Sequence, residues 1–346
     1  SDNSRLFKES VIEREAKAGN AEFFRGCRAA FDAMITFGIR QVPEAIKDGP
    51  GLKSESFWTL AKKLADRELT GDAARVAVVH ALNKATQEEW NSWYRRILIK
   101  DLRCGISEKT LNKVLKNSEW RIPVFTCQLA QDSTDQPKKL TGIKRLEPKL
   151  DGVRVLAVVQ GMNVSIMSRN GKEFANFPDI ARDVMRHRGA FQWGLASGGR
   201  FVLDGEVTGE SFQKLMKQAQ RKSDVQTDGM VYHIFDIMPL DDFQRGYWNA
   251  QQYKRFDILE KARGIIEESA SCLKIVSGLE VDLDTAEGHD IMQRYAEDAV
   301  AEGFEGIMIK DVHAPYECKR SSFWMKWKPV ISVDLNIVGF EEGTGR

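Results

Sequence analysis

The chain has 346 residues, 42% of them hydrophobic and 29% charged, and its 51 Lys and Arg against 50 Asp and Glu leave a net charge of +1. That length supports two or three domains with substantial cores, and the composition excludes collagen-like, coiled-coil and largely disordered chains. No apolar run approaches the ~18 residues that cross a bilayer. The start, Ser1-Asp2-Asn3-Ser4, carries neither a basic nor an apolar targeting segment, so a cytoplasmic protein without membrane partners is expected.

From Leu6 to about Trp120 apolar residues recur at three- and four-residue spacing, as in Ala61, Leu64, Ala65, then Val76, Val79, His80, Asn83, then Leu111, Val114, Leu115. Breaks fall at Val42-Pro43, at 48–51 (Asp-Gly-Pro-Gly) and at Thr70-Gly71-Asp72, so an all-helical domain is expected. Near its end, Arg95, Arg96, Lys100, Arg103, Lys109, Lys113, Lys116 and Arg121 face only Asp101, Glu108 and Glu119. A local basic stretch in a neutral chain points to a polyanion. Ser107 is placed to cap a helix carrying Lys109, Lys113 and Lys116 on one stripe and Leu111, Val114 and Leu115 on the other, although such a stripe is usually only a solvated face. The polar stretch Gln131–Lys139 reads as a linker, which puts a domain boundary near residue 132.

Beyond it the period shortens. Val153–Val159 and Val164–Ser168 around Gln160-Gly161-Met162-Asn163 read as a hairpin, and Phe201–Thr208, Met230–Met238, Gly306–Lys310 and Trp324–Lys328 as further strands. Helices are expected near Pro178–His187, Tyr253–Ala270 and Ala286–Ala301. The sum is α+β with antiparallel sheets. Asp334–Phe340 reads as one more strand. The five cysteines (Cys27, Cys104, Cys127, Cys272, Cys318) form no CxxC pair and the five histidines no metal-ligand spacing, against a disulfide framework or zinc ribbon. Walker A and GxGxxG loops are missing from the sequence, against a P-loop ATPase or a dinucleotide dehydrogenase.

The strongest local signal is Lys149-Leu150-Asp151-Gly152-Val153-Arg154, a lysine ahead of a tight Asp-Gly turn leading into a strand. By itself it also fits an ordinary turn. In company it resembles the nucleotidyltransferase signature of ATP-dependent DNA ligases and mRNA capping enzymes. Ser168-Arg169-Asn170-Gly171, Leu203-Asp204-Gly205-Glu206, Val231–Asp236, Glu305–Lys310 and Trp324–Pro329 follow in the order of that superfamily's motifs Ia, III, IIIa, IV and V. Leu69–Ala74 and Arg95–Ser107 resemble the N-terminal DNA-binding domain of T-even-type bacteriophage DNA ligases.

The resemblance implies a helical DNA-binding domain (1–132), an ATP-grasp-like adenylyltransferase domain (133–330) and the first strand of an OB-fold (331–346). It implies ATP and Mg2+ as cofactors, a covalent AMP on Lys149, and nicked duplex DNA as partner of a monomer. It also implies site roles. Lys149 is the nucleophile, which must react as the neutral amine. Glu147 accepts from the adenine amine and Phe235 stacks on the base. Arg154, Arg169 and, upstream of motif V, Arg320 contact ribose, phosphate or the nick. Lys326 and Lys328, two apart on a strand and so on one face, contact phosphates, with Met325 and Trp327 opposite. Glu206 lies near the ribose and the metal and Glu305 is a metal-site carboxylate, Mg2+ favouring one or two carboxylates plus water. Arg95, Arg96, Lys100, Arg103, Lys109, Lys113 and Lys116 meet the DNA backbone. Asp236 and Arg255 read as a structural ion pair. An RNA ligase, a capping-type nucleotidyltransferase and a non-catalytic nick-binding module are the alternatives, and an NAD-dependent ligase is disfavoured without a four-cysteine zinc module.

Overall fold

The computed structural model describes residues 4–39, 41–116, 118–174, 177–192, 195, 197–209, 229–269, 271–329 and 339. The strand expected over 334–340 lies outside them except for Gly339.

The N-terminal region is helical: α1 (Arg5–Lys17), α2 (Ala21–Phe31), α3 (Ser54–Ala65), α4 (Gly71–Lys84), α5 (Gln87–Glu89), a π-helical turn Trp90–Tyr94, α6 (Arg95–Leu98) and α7 (Glu108–Val114). The breaks read at Pro43 and Gly49–Gly51 fall between these helices, and the one at Thr70-Gly71 marks the start of α4. Polar caps start them where the chemistry predicts: Asn20 accepts from Phe23 N, Thr86 and Glu89 form a capping box, and Ser107 accepts from Thr110 N. Two cores form, one around Phe57, Trp58, Trp90, Tyr94 and Ile97, the other around Ile12, Phe24, Leu111, Leu115 and Ile122. Burying an aromatic such as Phe57 contributes about 3 kcal/mol. In α4 the stripe read from the sequence is the wrong one. Ala74, Val78 and Ala81 are buried in the core around Phe57 and Trp90, whereas Val76 and Val79 are exposed.

The second region holds two five-stranded sheets. In the first the order is β1 (Leu129–Asp132), β12 (Arg320–Trp327), β10 (Ile307–Asp311), β2 (Ile143–Pro148), β9 (Leu279–Asp282). In the second it is β4 (Asn163–Ser168), β3 (Val153–Gln160), β5 (Arg200–Thr208), β6 (Val231–Pro239), β8 (Leu273–Ile275). Between them in the chain lie α8 (Pro178–Phe191), α9 (Leu240–Arg245), α10 (Gln252–Glu267), α11 (Ala286–Ala301) and a small ribbon of β7 (Tyr247–Trp248) with β11 (Tyr316–Glu317). Pairing is mainly antiparallel, as read. Edge strands β1 and β8 instead run parallel to β12 and β6, the latter through the long helical crossover that parallel pairing needs. Gln131 and Asp132, read as the start of a linker, are ladder residues opposite Met325 and Lys326.

β3 explains its unbroken apolar run: it is covered on both faces. Val155, Ala157 and Val159 pack with α8 and α10, whereas Leu156 and Val158 pack with Phe125, Val202 and Trp324. In the first sheet, Leu146, Ile307, Ile309 and Met325 pack on α11, which turns Glu147, Met308, Lys310 and Trp324 toward the second sheet. A bulge shifts the β5–β6 register, so that Asp204 pairs with Asp236 and Gly205 with Ile234, leaving Phe235 unpaired. Phe235 faces the space between the sheets, on the face opposite Tyr232 and Ile234, and the bulge breaks the alternation just after it, so that Ile237 rather than Asp236 returns to the helix-covered face.

Candidate active site

β2 ends at Pro148, and the next residue is Lys149. Its main chain is tied on both sides to the segment before β10: Lys149 N donates to Gly306 O at 2.8 Å, and Glu305 N donates to Lys149 O at 3.0 Å. Gly306, at φ +136°, is required here, since a Cβ would lie 2.2 Å from Trp327 O. Gly152 lets the turn cross β5 with similar closeness, its would-be Cβ 2.2 Å from Val207 O. Two stretches more than 150 residues apart are thus locked together, and a cleft of about 100 Å3 opens beside Lys149, walled by Glu147, Arg154, Glu206, Phe235, Met308, Lys310 and Trp324.

The carboxylates fall into two kinds. Glu147 and Asp204 are buried and paired. Arg145 Nε donates to Glu147 Oε1 at 2.9 Å and Lys310 Nζ lies 2.6 Å from Oε2. Asp204 takes both arms of Arg154, at 2.9 and 2.6 Å, and the Tyr316 hydroxyl at 2.6 Å. Glu206 and Glu305 remain for chemistry. Burial pushes Glu206 up to about 7, opposed by Arg154 and Lys149 and assisted by Asp204 and Glu305. For Glu305, burial raises the carboxyl, but hydrogen bonds from Lys149 and Lys328 outweigh it and hold the group below the usual range. Lys149 and Lys328 share Glu305 Oε2, the latter at 2.8 Å.

Among the described residues no group of three or more His, Cys, Asp or Glu forms a metal cage. Glu206 and Glu305 nonetheless fit Mg2+, which is held by one or two carboxylates together with substrate phosphates and water. For a flat apolar ligand the cleft offers the Phe235 ring, set edge-on to Trp324 at 5.7 Å. Lys310 is the residue the sequence reading passed over. Its ammonium donates to Phe235 O at 3.1 Å and lies 4.8 and 4.6 Å from the Phe235 and Trp324 rings. The signal was a lysine in strand register with Met308, a lining position.

The remaining predicted residues lie elsewhere. Lys326 shares a face with Trp324 and Lys328, while Met325 and Trp327 face α11, as the alternation predicts, but Lys326 approaches Asp132 at 3.7 Å. Arg320 donates to Ala130 O at the sheet edge. Arg169 is exposed in the turn after β4. Asp236 and Arg255 form the buried bidentate pair that was read, at 2.8 and 3.0 Å.

The basic stretch of the helical region divides. Arg103, Lys109, Lys113 and Lys116 are exposed, with Lys113 paired to Glu9 at 2.7 Å. Arg95 instead donates to Val42 O, and Arg96 to Asn91 O. Lys100 turns inward, donating to Ala29 O, Asp32 O and Ile35 O at 3.3, 2.7 and 2.5 Å.

Comparison with known proteins accords with this geometry. DNA ligase 1 of Korarchaeum cryptofilum is 31% identical over 232 residues, which are 63% of this chain and 39% of that protein. DNA ligase 2 of Methanosarcina acetivorans is 27% identical over 233 residues, 65% of this chain and 39% of that protein. The chain thus spans about two fifths of the length of these curated relatives. A solved structure named Pmar-Lig_PreS3 is 44% identical, covers 99% of this chain and 79% of its own, and superposes with a TM-score of 0.63. The profile of the ATP dependent DNA ligase domain matches residues 126–328, more than half of the chain. The chain belongs to the ATP-dependent DNA ligase domain family.

Proposed function

We propose that the protein seals nicks in duplex DNA with ATP, through an AMP held covalently on Lys149. The observation that carries this reading is the double main-chain tie between Lys149 and the Glu305–Gly306 segment, which sets the amine, Glu305 and Lys328 at the mouth of a cleft with a ring and a buried carboxylate inside it. The Lys149 amine attacks the α-phosphate of ATP and releases pyrophosphate. AMP then passes to the 5′-phosphate at a nick, and the 3′-hydroxyl displaces AMP to close the strand. The amine attacks as the neutral form, and Lys328, sharing Glu305 with it, brings a second positive charge to its side.

Glu147 keeps one lone-pair direction on each oxygen for the adenine amine while Arg145 and Lys310 hold it in place. Phe235 supplies the stacking face. Arg154, fixed by Asp204, presents a rigid donor plane to ribose or phosphate. Bound Mg2+ would screen phosphate charge between Glu206 and Glu305. Arg169, outside the cleft wall, is assigned to the nucleic acid, and Arg320 and Lys326 to the nucleic acid or to the leaving phosphates.

The helical region, 1–132, is assigned to the duplex in the manner of T-even-type phage ligases, with Arg103, Lys109, Lys113 and Lys116 on backbone phosphates, which position without reading sequence. The adenylyltransferase domain is proposed to run to about 330 and to begin a few residues before 133, a reading that the pairing of Leu129–Asp132 with β12 supports. An OB-fold is proposed to start after 330, and the protein to act as a cytoplasmic monomer.

Intact mass spectrometry tests the reading. Incubation with ATP and Mg2+ is expected to add one AMP to wild type and none to Lys149→Ala. An adduct on the variant would remove Lys149 from its role. An adduct from GTP or NAD rather than ATP would move the assignment to a capping-type or NAD-dependent transferase.

A further inference from the structure

Among the described residues, three non-glycine residues hold left-handed backbone: Arg67 at φ 61°, Lys100 at φ 57° and Arg103 at φ 49°. Such conformations cost energy and persist where surrounding contacts demand them. The first two serve the same segment, the loop 32–39 that follows α2. Lys100 gathers the carbonyls of Ala29, Asp32 and Ile35 on one ammonium, and Arg67 Nη2 donates to Thr36 Oγ1 at 3.1 Å. Gly38 leaves the room that Arg67 fills, since a Cβ there would lie 1.5 Å from Nη1.

This loop does not end in solvent. Ala33 and Met34 pack on the core face shared by Leu156, Val158 and Met167, and Met34 and Thr36 border the β3–β4 hairpin. The turn after β4 is tight, with Gly171 N donating to Ser168 O and Lys172 N to Ser168 Oγ. Gly171, at φ +76°, meets the helical region with no room to spare: a Cβ would lie 2.5 Å from Ala33 Cβ and 2.6 Å from Phe125 Cβ. Two residues on, Glu173 pairs with Arg67 at 3.5 Å. The turn so gripped is the one that carries Arg169.

We propose that the loop 32–39 is a wedge through which the helical region sets the position of Arg169, with Arg67 and Lys100 as positioning residues. The proposal rests on the ligase reading for what Arg169 does, but the wedge itself is a property of the fold. It gives the helical region a part in the steps on DNA beyond its own contacts with the duplex, and none in the attack of Lys149 on ATP.

Two measurements on the chain as it stands test it. In hydrogen exchange, Arg67→Ala and, as a milder change, Thr36→Val are expected to speed exchange of the Gly171 and Lys172 amides by about tenfold while amides around Phe57 and Leu203 keep their protection. Unchanged exchange in the turn, or loss spread over the whole chain in both variants, would overturn the wedge. Next, AMP-loaded protein is mixed with a 5′-phosphorylated nicked duplex under single-turnover conditions. Arg67→Ala is expected to slow AMP transfer about tenfold in wild type but less than twofold in an Arg169→Ala background, with lysyl-AMP formation unaffected. Equal losses in both backgrounds would overturn the link to Arg169. Normal exchange effects with no AMP transfer even by wild type would uphold the wedge and overturn the ligase reading instead.

Discussion

The cleft and the helical region treat charge differently. In the cleft, charged residues from β2, β3, β5, β10 and the segment before β10 converge, and each buried carboxylate meets partners from another strand: Glu147 with Lys310, Asp204 with Arg154. In the helical region, residues adjacent in sequence scatter, Lys100 into the interior and Arg103 to the surface. Strand pairing multiplies one register choice across a whole face, so spacing in sequence becomes adjacency in space. A loop between short helices has no such rule, and a count of basic residues there says little about where each goes.

The comparison is broken most severely by removing a charge from the cleft. Lys310→Met leaves Glu147 buried with Arg145 alone and removes the donor to Phe235 O. Breaking a buried pair from one side costs about 3–5 kcal/mol. Urea denaturation is expected to show that loss, with weaker ATP binding in calorimetry. An unchanged midpoint would mean that the interior pair is not the anchor of the cleft.

Next in size is the pH response of Glu206, where burial raises the carboxyl to about 7 against opposition from Arg154 and Lys149. An ordinary glutamate titrates near 4.3, so between about 4.3 and 7 the folded protein holds a proton that the unfolded chain has lost. Stability therefore falls as pH rises through that window, by on the order of 3 kcal/mol in total, and the full penalty stands above it. Glu206→Gln is expected to flatten this slope in denaturation series between pH 4 and 8. In the same series, ATP-dependent adduct formation by wild type is expected to rise toward pH 8, as the carboxylate proposed to hold Mg2+ becomes available. A Glu206→Gln protein that keeps the stability slope would show that another group carries it.

What was legible in the sequence follows the same division. Motif strings on strands come together in space: Lys149, Glu147, Arg154, Glu206 and Phe235 line one cleft, with Glu305 and Lys328 joined to Lys149 at its edge. β2 itself was not read as a strand, because Lys144, Arg145 and Glu147 make it look polar, and only long-range pairing shows them buried. The parallel edges β1 and β8 were invisible for a related reason, their partners lying far away in sequence. In α4 two stripes satisfied the helical period, and the core around Phe57 and Trp90 took the one with Ala74, Val78 and Ala81. Lys100 failed most plainly as a surface residue. An ammonium that satisfies three carbonyls of one turn carries the same letter as one that meets a phosphate.

That distinction gives the third test. Lys100→Met orphans the carbonyls of Ala29, Asp32 and Ile35, and a cost of about 2 kcal/mol is expected in denaturation. The salt dependence of nicked-duplex binding is expected to keep its slope, because no phosphate contact is lost. A slope reduced by about one unit would return Lys100 to the DNA surface.

The smallest effect is the most informative about the exposed stripe of α7. Lys113 is held by Glu9 at 2.7 and 2.8 Å, and hydrogen bonds from Lys113 and then Arg5 keep the Glu9 carboxyl below its usual range. Lys109 and Lys116 are exposed on the same segment. If the stripe meets the duplex, Lys109 and Lys116 each release about one counterion on binding, whereas Lys113 must first leave Glu9. Lys116→Ala is therefore expected to lower the slope of log affinity against log salt by about one unit. Glu9→Gln should act in the opposite direction, steepening the slope and tightening binding by about two- to threefold at low salt, where an exposed pair competes most with phosphate. Fluorescence anisotropy of a nicked duplex across a salt series reads both variants. Slopes that match wild type in both would make the stripe a solvated face, and the duplex would then have to lie along Arg103 and the mouth of the cleft.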